Sequence, residues 1–214
     1  MRTQDLISAL SEDHAARPQP RPLRQTFLLA VAAGLGVAVA GFALALGIRP
    51  DAASAIETWR YDFKFVVTLT LALTSARLVW RLARPAADPR LAELAMAAAP
   101  LLLLGAVLYE LWVVPESRWL PRAMGSNSMA CVMSITLLSL APLAGAFYAL
   151  RRGAPLRPGL AGAAAGLLAS ALAAALYAMH CPDDSPLFGA IWYTAAMALV
   201  SVGGMLAGRR LLHW

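Results

Sequence analysis

The sequence predicts an all-α fold: a polytopic membrane protein built as a six-transmembrane-helix bundle with both termini cytoplasmic. Three observations predict it. Of 214 residues, 60% are hydrophobic and only 14% charged, too apolar a balance for an ordinary soluble domain. Six stretches are long enough to cross a bilayer, which takes roughly 20 predominantly apolar residues each. The basic residues then fall in alternate loops, thirteen on one side and five on the other.

The spans are expected at about Thr26–Ile48, Phe63–Trp80, Leu91–Val114, Met129–Leu150, Gly159–Met179 and Leu187–Gly208. They make one membrane domain, residues 26–214, behind a cytoplasmic tail of residues 1–25. Ala43-Leu44-Ala45 has the small-x-small look of a cleavage site. A signal h-region runs about 7–15 residues, whereas this span is longer and lies behind the tail, so it reads as an uncleaved anchor.

The richer basic side holds Arg2, Arg17, Arg21 and Arg24 of the tail and Arg77, Arg81, Arg84 and Arg90 around the second loop. It also holds Arg151, Arg152 and Arg157 of the fourth loop, and Arg209 and Arg210 at the C-terminus. The other side has Arg49, Arg60, Lys64, Arg118 and Arg122. The positive-inside rule places the richer side in the cytoplasm. Because these charges form no single patch, the net charge of +6 does not imply direct nucleic-acid binding.

Both cysteines then lie at the end facing away from the cytoplasm. Cys131 is in the first turns of the fourth span, after Ser126-Asn127-Ser128, whose side chains suit an N-cap. Cys181 is in the fifth loop, within His180-Cys181-Pro182-Asp183-Asp184. The fourth and fifth spans share a short connection and should pack antiparallel. The two thiols are then out of level by about 6 Å at about 1.5 Å per residue. A disulfide, which needs Cα atoms within roughly 7 Å, is feasible without being required.

A buried free cysteine also serves as a small apolar residue, a reading that suits Cys131 as well as sensing does. Cys181 stands in a polar turn, where His180, Asp183 and Asp184 are candidate accessory metal ligands. The spacing matches no standard zinc pattern, and the two aspartates could instead cap the sixth span. With no C-x-x-C pair, a disulfide-exchange enzyme is disfavoured and no enzymatic activity is expected. Thiol–disulfide switching is favoured over metal sensing. No resident cofactor is expected; a metal ion would be a transient visitor.

Inside the membrane, antiparallel register between the second and third spans allows interhelical ion pairs Lys64 with Glu110 and Arg77 with Glu93. All four residues lie near span ends, so a structural role is favoured over a transport path. Gly162-x-x-x-Gly166 and Gly204-x-x-x-Gly208 are surfaces that let helices approach closely. Pro100 and Pro142 are expected to kink their helices.

The tail opens with a short amphipathic segment in which Leu6, Ile7 and Leu10 share a helical face and Asp5 suits the positive end of the dipole. Pro18, Pro20 and Pro22 form a stiff spacer behind it. Such a helix can lie on lipid or fold into a partner's groove; Glu12 and Asp13 argue against the anionic leaflet.

The chain resembles the NrsF family of bacterial integral-membrane anti-sigma factors. The resemblance covers essentially the whole length. It is carried by Met-Arg-Thr-Gln-Asp-Leu-Ile-Ser-Ala-Leu at the start, Ala130-Cys131, Leu138-Ser139-Leu140-Ala141-Pro142-Leu143-Ala144-Gly145 and Leu150-Arg151-Arg152-Gly153-Ala154-Pro155. The most specific block is His180-Cys181-Pro182-Asp183-Asp184-Ser185-Pro186-Leu187-Phe188, with Trp192-Tyr193. The resemblance implies a protein that holds an extracytoplasmic-function (ECF) sigma factor at the inner membrane. It implies that Cys131 and Cys181 sense metal or oxidative stress. Asp5, Leu6, Ile7 and Leu10 would then grip the sigma factor, helped by arginines of the second and fourth loops. A small permease or channel is the alternative, and a membrane oxidoreductase ranks behind it.

Overall fold

The computed structural model describes residues 3–5, 7, 8, 11, 21–85 and 87–212. Six helices among them are long and apolar enough to cross a membrane. They are α1 (Leu23–Ala45), α2 (Trp59–Leu82), α3 (Arg90–Val113), α4 (Ser128–Leu150), α5 (Pro158–Ala178) and α6 (Pro186–Leu211). No strand occurs among the described residues. Each helix occupies an expected stretch, with α1 and α2 beginning three to four residues earlier than hydropathy suggested. Pro22 fixes the start of α1, since its extended backbone (ψ 137°) stands immediately before Leu23. Thr58 is extended before α2, and Asp62 follows in the first turn, where a carboxylate favours the helix dipole.

The small-residue helix α5 is the centre of the bundle. It packs against α6, α2 and α4, while α1 lies on the outer side of α4. Of its apolar stretch, 61% is buried, against 17% for α3. Its buried residues are mostly alanine and glycine, which bring neighbouring backbones close. At the α5–α6 crossing, a Cβ on Gly162 would collide with the Gly204 carbonyl and one on Gly204 with that of Gly162. In lipid, where burial gains no hydrophobic free energy between helices, such close van der Waals packing is a main source of association.

Three local features depart from regular helix. The third helix is interrupted at Met96–Ala97, four residues before Pro100, whose ring displaces the carbonyl of Met96. By contrast, α4 runs without interruption through Pro142. In α6, a π-turn over Gly189–Tyr193 re-aims Tyr193 and was not anticipated. In the tail, Thr3–Asp5, Ile7, Ser8 and Ser11 are helical, and Ile7 is exposed. Leu6 and Leu10 lie outside the described residues.

Candidate functional site

The segments 46–58, 114–127 and 179–185 meet at the end of the bundle opposite Leu23 and Leu211. Beneath them Cys131 and Cys181 are both free and both 0% exposed. Cys131 stands on the first turn of α4, its N–H donating to the Asn127 carbonyl at 2.8 Å. Cys181 follows the end of α5, its N–H bonded to the Tyr177 carbonyl at 3.0 Å. The thiols are within electrostatic reach of one another, and Tyr177 and Tyr193 flank them. Burial pushes the Cys181 thiol above its usual pKa, and the nearby Lys64 charge opposes that shift. At neutral pH it is therefore an un-ionised thiol, shielded until the segments above it open.

Those segments are tied down by charge. Arg49 donates to the Cys181 carbonyl (3.1 Å), to both Asp184 carboxylate oxygens (3.0 Å each) and to Asp51 (2.7 Å). Lys64 donates to the same Cys181 carbonyl (3.0 Å) and pairs with Asp184 (2.5 Å). The bond to Asp51, then those to Asp184, push the Arg49 pKa further up against the opposing effect of burial. The same guanidinium holds Asp51 below the usual carboxylate range. The backbone of Cys181 is thus clamped between two cations from separate elements.

The remaining polar residues of this turn are committed elsewhere. The Asp183 carboxylate accepts from the backbone N–H of Ser126 (3.0 Å) and Asn127 (3.3 Å) and from the Ser126 hydroxyl (3.1 Å). The expected capping of α4 by Ser126-Asn127-Ser128 side chains is not made, since Asn127 makes no side-chain cap bond; Asp183 instead holds the backbone N–H groups just ahead of the helix. Gly125 makes room for it: its φ is 59°, and a Cβ there would collide with the Phe188 ring and the Asp183 carboxyl group. The sixth helix is capped by Ser185, which accepts from Leu187 N–H, and not by the aspartates. His180 Nδ1 is 3.0 Å from the Gly47 carbonyl.

Among the described residues no group of three or more His, Cys, Asp or Glu side chains is placed to hold a metal ion. His180, Asp183 and Asp184 therefore do not converge with the cysteines as ligands. Asp183 is drawn to the 114–127 segment, and His180 and Asp184 to the 46–58 segment.

The expected ion pairs are also corrected. The fully buried Glu110 pairs with Arg60 (2.9 Å) and Arg122, not with Lys64. Register between α2 and α3 differs by one helical turn from that assumed, so Arg60 stands opposite Glu110. Lys64, one turn further on, faces Asp184. At the tail end Glu93 is 3.5 Å from Arg157, while Arg77 is exposed with no ion pair among the described residues. The arginine from the fourth loop reaches the carboxylate that Arg77 was expected to hold.

This chain matches the family model described as "Negative regulator of sigma F" over residues 10–214. It belongs to that family. The anti-sigma-F factor NrsF of Caulobacter vibrioides is 37% identical over the whole of both chains. The probable anti-sigma-F factor NrsF of Azospira oryzae is 32% identical, again over the whole of both. No solved structure matches significantly. The resemblance read from the cysteine blocks is thereby shown. Arg49, Arg60 and Arg122 were missed as site residues, their sequence signal being a position near span ends on the cysteine side; Tyr193 stood in the resemblance block but was given no role.

Proposed function

We propose that this protein is an anti-sigma factor that holds an ECF sigma factor at the bacterial inner membrane and releases it when Cys131 and Cys181 are modified. The family match over residues 10–214 carries the partner class. Both termini lie in the cytoplasm, and residues 1–25 form the sigma-binding segment, with Asp5, Leu6, Ile7 and Leu10 as its grip. Arginines of the second and fourth loops add attraction for an acidic sigma surface. The cysteine end faces the periplasm.

The burial of two neighbouring thiols under one set of loops supports an oxidative trigger. In such a step the thiols of Cys131 and Cys181 join as a disulfide. They give two electrons and two protons to a peroxide, which leaves as water. A shift of α4 against α5 then reaches the 151–157 loop at the opposite end. The Arg49 and Lys64 clamp on Cys181 would carry the same strain into α2.

Affinity purification of the full chain in detergent, beside a version lacking residues 1–25, tests the reading. A sigma factor retained by the first and lost by the second is expected. Cys131→Ser and Cys181→Ser chains should still bind it and fail to release it with peroxide. Recovery of no sigma factor under any redox condition would sink the proposal, and normal release by both variants would remove the thiol trigger.

A further inference from the structure

Two hollows meet below the Cys181 turn. The larger, about 700 Å³, runs between α2, α3 and α6, with Leu167 of α5 at its back. On α2 its wall extends from Arg60 to Leu71 and on α3 from Met96 to Val107, about 17 Å each at about 1.5 Å per residue. The wall is mainly aliphatic, with Val67, Leu103, Val107 and Met197 among its residues. Its charged groups, Arg60, Lys64 and Asp184, gather at one end. The Tyr193 side chain also lines it, 5% exposed, with its hydroxyl at the Cys181 thiol.

The second hollow, about 400 Å³, is the polar mouth of the first. Arg60, Arg118 and Arg122 line it, with Asp183 and Asp184. Arg60, Asp184 and Ser185 belong to both hollows, so the apolar chamber opens into an arginine-rich rim.

We propose that this joined space binds one anionic phospholipid, an acyl chain along α2, α3 and α6 and the phosphate among Arg60, Arg118 and Arg122. The chamber falls in the range of about 300–1,000 Å³ usual for ligand sites and shows the same mix of apolar wall and few polar groups. Left empty, it would forfeit dispersion contacts along the side of α3, the least buried helix. Water is a poor filler for walls that offer so few polar partners.

Charge selects the head group. Arg118 makes no ion pair among the described residues, and Arg60 and Arg122 share the single carboxylate of Glu110. Each guanidinium has five N–H donors, so several remain for phosphate oxygens. The nearby acids are already taken, Asp184 by Arg49 and Lys64 and Asp183 by the start of α4.

The test is native mass spectrometry of the full chain in mild detergent. It is titrated separately with dioleoyl-phosphatidylglycerol, dioleoyl-phosphatidylethanolamine and glycerol 3-phosphate. One phosphatidylglycerol should be retained, about tenfold more tightly than phosphatidylethanolamine, as expected for a hydrogen bond to a charged group. Arg118→Gln should erase most of that preference, and Val107→Trp, which fills the α3 wall, should abolish retention of both lipids. Equal retention of both lipids by the wild type, an unaffected preference in Arg118→Gln, or no stoichiometric lipid would each overturn the proposal. Binding of glycerol 3-phosphate alone would also overturn it, in favour of a free-anion site. If Val107→Trp is misfolded by circular dichroism, Arg118→Gln decides.

Discussion

The two ends of this bundle treat charge in opposite ways. At the cysteine end Arg49, Arg60, Lys64 and Arg122 each pair with an internal carboxylate of Asp51, Asp184 or Glu110, and among the described residues Arg118 alone of that end's cations does not. At the tail end, among the described arginines, Arg157 alone is in an ion pair, at 3.5 Å from Glu93. Arg84 lies over the Trp80 ring and Arg152 over that of Tyr148, and the others face outward without a carboxylate. Charge ties the loops of the first end together and stands largely unpaired at the second.

The comparison breaks most visibly at Glu110. Its carboxylate is fully buried and neutralises two guanidiniums that are themselves mostly covered. Glu110→Gln leaves both cations without their counter-charge, and removing one partner of a buried pair costs about 3 kcal/mol or more. Unfolding of the purified protein by dodecyl sulfate should register a loss of that order. A change below about 0.5 kcal/mol would mean that this end is held by packing alone.

A smaller effect is expected at Asp184, which joins Arg49 and Lys64 over the Cys181 carbonyl. Asp184→Asn weakens both links, so the loops open more often and Cys181 is met more often by a thiol reagent. Loss of a charged hydrogen bond predicts labelling by a maleimide about tenfold faster than in wild type at pH 7. Burial raises the thiol pKa in the folded protein above the ordinary 9.0, so the unfolded chain ionises first as pH rises. The stability contributed by the protonated thiol is thus full below about pH 9 and is lost as pH rises through the higher folded-state value. An unchanged labelling rate in Asp184→Asn would show that the clamp does not gate the thiol.

The six spans and the convergence of the cysteines at one end were legible because hydropathy and loop charge report directly on lipid crossing. Register was not. Lys64 and Arg60 are one turn apart on α2, and hydropathy gives no reason to prefer either as the partner of Glu110. The choice is made by Asp184, which arrives from the 179–185 turn and draws Lys64 away. Asp183 was misjudged for a related cause. A carboxylate two residues beyond a cysteine resembles a metal ligand in sequence, yet in space the unpaired N–H groups ahead of α4 are nearer claimants. The π-turn at Gly189–Tyr193 has no signal in the order of residues at all.

The open end gives the gentlest test. Arg81→Gln, Arg84→Gln and Arg151→Gln remove exposed charges that hold no carboxylate in this structure, so the first and last should leave detergent stability within about 0.5 kcal/mol of wild type, and Arg84→Gln, which leaves the Trp80 ring, within about 1 kcal/mol. Their effect belongs to the partner. If these arginines meet an acidic sigma surface, the triple variant should weaken sigma capture, and the wild-type complex should weaken with added salt more steeply than the variant's. Equal salt dependence would move the whole grip to residues 1–25. The tail end would then be a charged platform that orients the protein in the membrane, with the contrast between its ends serving topology rather than recognition.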